Sequence, residues 1–297
     1  MIGTCKEPAR LPATDRIDTM HLPEYSSLHV HITDGVATVA LDHPPVNTLN
    51  GTMMLDLHDL LGRLRADDST RVIVFESSHD EFFLAHVDFG IFDSYPALEA
   101  VKKDYPHVNV HQGIGELLRS QPQITIVKLA GIARAGGAEF VAAADMAFAG
   151  SERGKIAQSE VLLGILPGGG GTQYLLEKAG RNRTLEAVLG ADLFDAETAA
   201  LYGWINRAVP DAELDAFVAR IAGNIAALDP GVIEGAKRAV PAADLTCGLN
   251  VEHDEWNRLV SGDAPAKKMK LALDRGLQST GPEREFEGFL RRVAADI

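Results

Sequence analysis

The sequence of 297 residues predicts an α/β fold followed by a helical C-terminal region. Short apolar, β-branched segments alternate with amphipathic helical segments over residues 28–210, which is typical of α/β proteins. After residue 210, apolar residues recur at helical spacing only. Hydrophobic residues make up 46% of the chain and charged residues 24%, a balance that can fill a sizeable core.

The chain begins with a predicted tail and a predicted hairpin. Residues 1–27 are polar, show no apolar periodicity and lack the apolar run of a signal peptide, so we predict a mobile tail. In SLHVHITDGVATVALDH, two alternating runs flank Asp-Gly, the strongest short hairpin signal. His29 and His31 share a strand face; they could bind a metal, but a solvated face is the preferred interpretation.

Helices and strands alternate in the middle of the chain. Apolar residues from Met54 to Leu64 recur at helical spacing, and RVIVFES then has the composition of a buried strand. A second helix, VHQGIGELLRSQ, precedes a second strand, ITIVKLAG. His107 and His111 would share a helix face, but no acidic neighbour completes a metal motif such as H-E-x-x-H. The charged stretch GIFDSYPALEAVKKDYPHVNV is not assigned to an element.

Five helices are predicted from residue 211 to the C-terminus. No repeat of fixed period and no low-complexity segment occurs. The predicted organisation is a mobile tail at residues 1–27, an α/β core at 28–210 and a helical region at 211–297. Breaks between the helices are expected at Pro230, Pro241, Pro265 and Pro282.

Charge and cysteine content exclude several classes of partner. The net charge of -14 and pI of about 5.1 argue against nucleic acid, because its binders carry a basic face. An anionic ligand would need local Lys, Arg or backbone N–H groups. No stretch reaches the roughly 18 uncharged apolar residues of a membrane span. With only Cys5 and Cys247, no disulfide framework is expected, and we predict a cytoplasmic protein.

A glycine turn lies in LAGIARAGGAEFVAAADMAFAG, between a predicted strand and a predicted helix. N–H groups at a helix start are unpaired and lie at the positive end of the dipole, and glycines let a ligand approach closely. Gly136 and Gly137 could therefore hold an oxyanion or a phosphate, with Glu139 beside them in the first turn. The alternative is a turn required only for tight helix–strand packing.

A second glycine-rich stretch is AQSEVLLGILPGGGGTQYL, residues 157–175. Its glycines continue with Thr-Gln, not with the Gly-Lys-Ser/Thr of a P-loop. Glu160 alone is one more surface glutamate, but paired with Glu139 it becomes a candidate acid or base. Nucleophilic catalysis is not indicated, since no G-x-S-x-G motif occurs and no cysteine lies in a catalytic context.

In the stretch FFLAHVDF, residues 82–89, one histidine and one aspartate stand among apolar residues. In an extended chain His86 and Asp88 point to the same side. This spacing suits a metal ion, a proton-transfer pair or a plain hydrogen bond.

Taken in order, these stretches resemble the crotonase family, the enoyl-CoA hydratases and isomerases. The likeness rests on PPVNTLN, FFLAHVDF, AGIARAGGAEFVAAAD, SEVLLGILPGGGGTQYL and AGRNRTLEAVLGADLFDAETAALYGWINRAV. It implies a spiral of repeated ββα units, followed by helices that build a homotrimer or a dimer of trimers. It implies an acyl-CoA thioester as substrate, with no metal and no cofactor.

The resemblance also implies roles for individual residues. The backbone N–H groups of Val87 and Gly136 would form an oxyanion hole for the thioester carbonyl, where enolate charge develops. Glu139 would activate water and Glu160 would protonate C2, so their pKa values should be pushed apart. Further substrate contacts are implied for Val46, Asn47, Leu49, Ala85, His86, Asp88, Gly137, Leu166, Pro167 and Gly168.

The sequence departs from the family pattern at several of these motifs. Ala135 stands where the first of three glycines is usual, Ser159 replaces a proline and Tyr174 replaces an arginine. His86 and Val87 replace Gly-Ala; His86 either only shapes the loop or reaches the acyl pocket and alters substrate choice, and Asp88 is expected to fix the loop by local hydrogen bonds.

Paired glutamates favour hydration of a 2-enoyl-CoA to a 3-hydroxyacyl-CoA. The alternatives are an isomerase or other crotonase-type reaction, or a non-catalytic acyl-CoA-binding or scaffolding member. The sequence does not fix the acyl group.

Overall fold

The computed structural model describes residues 22–297, so most of the predicted tail lies outside the described residues. The predicted hairpin is confirmed: β1 (Leu28–Thr33) pairs antiparallel with β2 (Val36–Leu41). Asp34 and Gly35 form its turn with φ angles of 49° and 77°, the positive values that a tight turn matching the strand twist requires.

A six-stranded sheet is built on this hairpin in the order β1-β2-β3-β5-β7-β10, and all pairs after the first are parallel. Its inner strands are nearly uncharged because helices cover both faces. The added strands are β3 (Val72–Ser77), β5 (Ile124–Leu129), β7 (Met146–Gly150) and β10 (Arg207–Val209).

A second, four-stranded sheet has the order β4-β6-β8-β9. Its strands are β4 (Phe82–Leu84), β6 (Ile132–Arg134), β8 (Lys155–Ala157) and β9 (Phe194–Asp195). The strand pairs β3–β4, β5–β6 and β7–β8 each place one strand in each sheet before the chain turns into helices. This succession is the predicted spiral of ββα units.

The helices alternate with strands up to β10 and then follow one another. Those before β10 are α1 (Gly51–Arg65), α2 (Tyr95–Asp104), α3 (Val110–Arg119), α4 (Gly136–Ala143), α5 (Gly171–Ala179), α6 (Arg181–Gly190) and α7 (Ala196–Tyr202). Those after it are α8 (Asp211–Ala226), α9 (Pro230–Ala239), α10 (Thr246–Val260), α11 (Asp263–Asp274), α12 (Thr280–Arg284) and α13 (Phe286–Ala295).

The main core lies between the six-stranded sheet and α1, α3 and α4. The opposite face of that sheet is covered by α8, whose Leu214 and Val218 pack on Val72 and Phe148. The first helix of the predicted C-terminal region is therefore a layer on the α/β core. No single helix among residues 22–297 is long and apolar enough to cross a membrane, and only α8 and α9 together, bent by 103°, reach that length and composition.

The expected breaks between the helices are present, but three of the prolines lie just inside the helix that follows the break. Pro230, Pro265 and Pro282 lie in the first turns of α9, α11 and α12. Proline is accommodated there because first-turn N–H groups have no partner within the helix. Pro241 does follow the end of α9, as expected.

Candidate active site

A cavity of about 90 Å³ lies where the loop after β4, the start of α4 and the loop before α5 meet the C-terminal helices. Val87, Gly136, Glu139 and Glu160 all line it. The structure thus brings together the four residues whose chemistry the sequence singled out.

The loop after β4 is held by backbone hydrogen bonds to the segment before α1. The N–H of Leu49 donates to the carbonyl of His86 at 2.8 Å, and the N–H of Asp88 donates to the carbonyl of Leu49 at 3.0 Å. Val87 stands between these two bonds, so its own N–H faces away from Leu49. Among residues 22–297, no group accepts from that N–H.

Gly136 begins α4 directly against Val87. A Cβ atom at Gly136 would overlap Cγ2 of Val87, so only glycine allows the two backbone segments to approach this closely. Within the described chain, the N–H of Gly136 has no acceptor either. The preceding Ala135 has φ 47° and ψ -121°, values that a residue with a side chain rarely adopts. The turn therefore presents an unpaired N–H beside that of Val87.

Glu139 lies in the first turn of α4 and is 5% exposed. Its Oε1 accepts from the N–H groups of Gly169 at 2.7 Å and Gly171 at 3.0 Å. A Cβ at Gly169 would overlap Oε2, which explains the glycines in that loop. Burial, with the charge of Glu252, raises the pKa of Glu139 to about 8 despite these hydrogen bonds.

Glu160 begins a short 3₁₀ turn, Glu160–Leu163, and is 8% exposed. The side-chain amide of Gln158 lies 2.9 and 3.1 Å from its two oxygens when its nitrogen faces them. Burial first, and the nearby Glu139 charge second, raise the pKa of Glu160 well above its ordinary value. Both pKa values are thus raised, and ionisation of either carboxyl group disfavours ionisation of the other.

A third carboxylate, Glu252 of α10, lies behind this pair and is 3% exposed. It accepts from the N–H groups of Gly170 at 2.6 Å and Thr172 at 2.9 Å, at the start of α5. Burial raises its pKa. Sequence reasoning missed it, because in VEHDEWNRLV it has the pattern of a solvated helix glutamate.

His86 and Asp88 are hydrogen-bonded within the protein and line the cavity. His86 contacts the Val87 carbonyl and Glu283 of α12. Asp88 accepts from the N–H of Gly90 at 2.7 Å and the amide of Gln278 at 2.7 Å. In the described part of the chain, no three His, Cys, Asp or Glu residues are grouped as a metal site.

The other predicted substrate contacts divide into two groups. Gly168 lines the cavity, and Leu49 lines a smaller adjoining one of about 10 Å³. Six of the predicted contacts do not line the main cavity: Val46, Asn47, Ala85, Gly137, Leu166 and Pro167.

Asn47 and Gly137 have clear structural roles. The Asn47 amide donates to the carbonyls of Phe83 at 2.6 Å and Leu41 at 3.2 Å, which joins the ends of strands from both sheets. A Cβ at Gly137 would overlap the carbonyl oxygen of Leu84. Val46 and Ala85 pack together in a small apolar cluster.

The apolar wall of the cavity was not predicted. Among its residues, Tyr95 and His111 form a neutral pair: the Tyr95 hydroxyl is 3.1 Å from Nε2 of His111. Burial raises the pKa of Tyr95 to about 12 and lowers that of His111 to about 4. The aromatic residues of the wall come from three separate parts of the chain: Phe89, Phe92, Tyr95, Trp256 and Phe286.

Known proteins share this architecture. The family model for enoyl-CoA hydratase/isomerase matches residues 31–254. A crystal structure of a candidate enoyl-CoA hydratase from Streptomyces avermitilis is 56% identical, with a TM-score of 0.90, over 92% of this chain and 100% of that one. Crotonyl-CoA hydratase of Syntrophomonas wolfei subsp. wolfei is 26% identical over 84% of this chain and 96% of its own. Short-chain-enoyl-CoA hydratase of Clostridium acetobutylicum is 26% identical over 86% and 95%.

Proposed function

The chain belongs to the enoyl-CoA hydratase/isomerase family, the crotonases, and on that premise we propose that it hydrates a 2-enoyl-CoA to a 3-hydroxyacyl-CoA. The observation that carries the proposal is the placement of Glu139 and Glu160 in one cavity beside the free N–H groups of Val87 and Gly136. The relatives named as hydratases align over almost their whole length, which supports it.

The two N–H groups would bind the thioester carbonyl oxygen. As water adds to C3, electrons move from the double bond to that oxygen, and an enolate forms. Donors that are already in place stabilise this charge without reorganisation, and one such donor contributes roughly 2.7–4 kcal/mol in comparable sites. Val87 and Gly136 are suited to this because their N–H groups lie side by side in a buried cavity.

The glutamates would handle the two protons. Glu139 is anchored through Oε1 by two N–H groups, and in its ionised form the free Oε2 takes a proton from the attacking water. A pKa of about 8 makes that carboxylate a stronger base than an ordinary glutamate. Glu160, kept protonated by burial and by the Glu139 charge, would deliver its proton to C2. The hydroxyl then stands on C3, and proton exchange with water restores both carboxyl groups.

The cavity suits an apolar acyl group. Its wall is largely apolar, and no Lys or Arg of the described chain lines it. Positive charges for the coenzyme A phosphates would come from α11, where Lys268 and Lys270 stand on either side of the cavity-lining Met269. Lys270 also pairs with Asp274 at 2.7 Å. We propose no cofactor, because proton transfer and charge stabilisation supply the chemistry.

An isomerase is the second candidate, since it only moves a proton and one carboxylate can suffice. The presence of both buried glutamates favours hydration. A non-catalytic acyl-CoA-binding member is the third, and it would have no reason to keep two carboxylates with raised pKa values in a cavity.

An absorbance assay tests these functions. Short and medium 2-enoyl-CoA thioesters are incubated with the protein, and loss of the conjugated-thioester absorbance is followed; we expect turnover. Glu139→Gln and Glu160→Gln should each lower kcat about 10²–10⁴-fold, and Glu186→Gln, an exposed carboxylate hydrogen-bonded to Tyr202, serves as control. No loss at any chain length would refute hydration. Formation of conjugated thioester from 3-enoyl-CoA without further loss would identify an isomerase.

We propose a homotrimer or a dimer of trimers as the assembly. The described chain leaves large apolar side chains exposed, among them Leu189 at 62% and Leu201 at 72%. Sedimentation should give three or six times the chain mass of 31.9 kDa.

The exposed, unpaired thiol of Cys247 is compatible with a reducing, cytoplasmic location.

A further inference from the structure

His86 occupies an unusual place in the loop that carries the Val87 N–H. Its side chain is 2% exposed and both ring nitrogens have partners. Nδ1 lies 2.7 Å from the carbonyl oxygen of Val87, and Nε2 lies 2.9 Å from Oε1 of Glu283. The imidazole is therefore engaged on both sides and cannot accept a proton from a substrate.

The partners define the protonation of this ring. A carbonyl oxygen can only accept, so Nδ1 carries a hydrogen. Oε1 of Glu283 also accepts from the N–H of Gln278 at 3.0 Å, so two donors converge on one carboxylate oxygen. The pKa of Glu283 is lowered, so an ionised carboxylate faces Nε2; both ring nitrogens then donate, which is the imidazolium form.

We propose that His86 is a positioning residue, held as an imidazolium by Glu283, that fixes the backbone of Val87 through its carbonyl oxygen and places positive charge beside the oxyanion. The inference rests on the proposed thioester chemistry. His86 lines the cavity and Glu283 does not, so the buried pair is a dipole whose positive end faces the site. Preoriented dipoles of this kind stabilise charge that develops during reaction.

Neighbouring rings and charges hold the pair in this orientation. The imidazole lies between Phe89 and Phe286, with ring centroids 5.1 and 5.2 Å away. Arg134 opposes the imidazolium charge, but Glu287 neutralises it in a bidentate pair. Asp88 lies on the same loop.

The carboxylates of Glu139 and Glu160 line the same cavity as His86. Burial lowers the pKa of His86, but the attraction of Glu283 outweighs that effect, so the pKa of His86 is raised.

Glu283→Gln tests the proposal, because it keeps the shape and removes the counter-charge. We expect kcat to fall roughly tenfold or more, with little change in KM, as for an interaction made in the transition state. Without Glu283, burial lowers the pKa of His86, so the kcat of the variant relative to that of the wild type should decline as pH rises toward the ordinary histidine value of 6.5. The wild type should show no loss of kcat in that window. Glu285→Gln, an exposed carboxylate two residues away, is the matched control.

A second measurement does not depend on turnover. Histidine-labelled protein is titrated by NMR, with His86→Gln assigning the signal, and a doubly protonated ring is expected at pH 7. A neutral His86 in the wild type would overturn the proposal, as would an unchanged kcat and pH profile in Glu283→Gln. If the wild type hydrates no enoyl-CoA while His86 is an imidazolium, the proposed function fails and the ion pair stands.

Discussion

At the scale of single residues, Ala135 shows how the site constrains the chain. Its backbone angles, φ 47° and ψ -121°, aim the next N–H at the cavity, and a residue with a Cβ adopts them at a cost of about 1–3 kcal/mol. Strain of this kind is typical of functional turns, and the sequence keeps alanine where glycine would remove it.

Ala135→Gly should therefore stabilise the protein. The relieved strain exceeds the added flexibility of the unfolded chain, about 0.4–1 kcal/mol, so we expect a net gain of roughly 1 kcal/mol in the free energy of unfolding. Urea unfolding measures it. Ala142→Gly, in the buried interior of α4, is the control and should destabilise by at least about 0.5–1 kcal/mol. An equal loss in both variants would show that Ala135 is not strained.

The sequence predicted the residues whose signal is local. Glu139, Glu160, Val87 and Gly136 each stand within a short motif, and the structure places all four around one cavity. The carboxylates that support them were not predictable. Glu252 accepts a hydrogen bond from Gly170, which is 82 residues away in sequence, and Glu283 contacts His86, which is 197 residues away. In the sequence alone, each therefore has the pattern of a helix-surface glutamate.

At the scale of elements, the length and the apolar pattern of a segment decide whether the sequence predicts it. α1 and α3 have clear apolar stripes, whereas α2 lies in a charged stretch with proline near its start and was left unassigned. The strands β4, β6, β8 and β9 have two or three residues each, too few for any periodicity to register. Only their pairing into the second sheet defines them.

The C-terminal helices are attached through buried ion pairs as well as apolar contacts. Arg134 of β6, fully buried, donates to Glu287 of α13 at 2.7 and 3.2 Å, and Ser159 donates to the same carboxylate at 3.0 Å. Arg134 precedes the strained turn, and Ser159 precedes Glu160. The docking of α13 thus supports both halves of the site.

A double-mutant cycle tests this attachment. Arg134→Met alone leaves the Glu287 charge buried and should cost about 3–5 kcal/mol of unfolding free energy, whereas Arg134→Met with Glu287→Leu should recover much of that loss. Chemical denaturation at fixed protein concentration measures both. The exposed pair Arg292–Glu285, at 3.5 Å, is the comparison, and Glu285→Gln should cost less than about 1 kcal/mol. Additive losses in the cycle would contradict the coupling.

At the scale of the whole molecule, the site concentrates buried charge that the fold must tolerate. Glu139, Glu160 and Glu252 converge on the start of α5 and the cavity, in a chain whose net charge is already -14. Backbone N–H groups, rather than Lys or Arg, are their main partners. Ionisation of these buried carboxyl groups therefore disfavours the folded geometry of the site.

The cost of ionising these buried carboxyl groups predicts how the stability of the protein depends on pH. The pKa of Glu139 is raised to about 8 in the folded state, so its contribution is complete below pH 4.5 and is lost as pH rises toward 8. The raised pKa values of Glu160, Glu252 and His86 act in the same direction. His111, lowered to about 4, acts oppositely, but only between about pH 4 and 6.5. Between pH 6.5 and 8 the free energy of unfolding should therefore decline.

Glu139→Gln should remove a substantial part of that decline, on the order of 1 kcal/mol between pH 6.5 and 8, because the amide does not titrate. Urea unfolding of wild type and variant at four pH values, at one protein concentration, measures it. Glu285→Gln should retain the wild-type slope, since its side chain is exposed. A slope unchanged in Glu139→Gln would mean that this carboxylate ionises without cost in the folded protein, and the charge conflict at the site would then lie elsewhere.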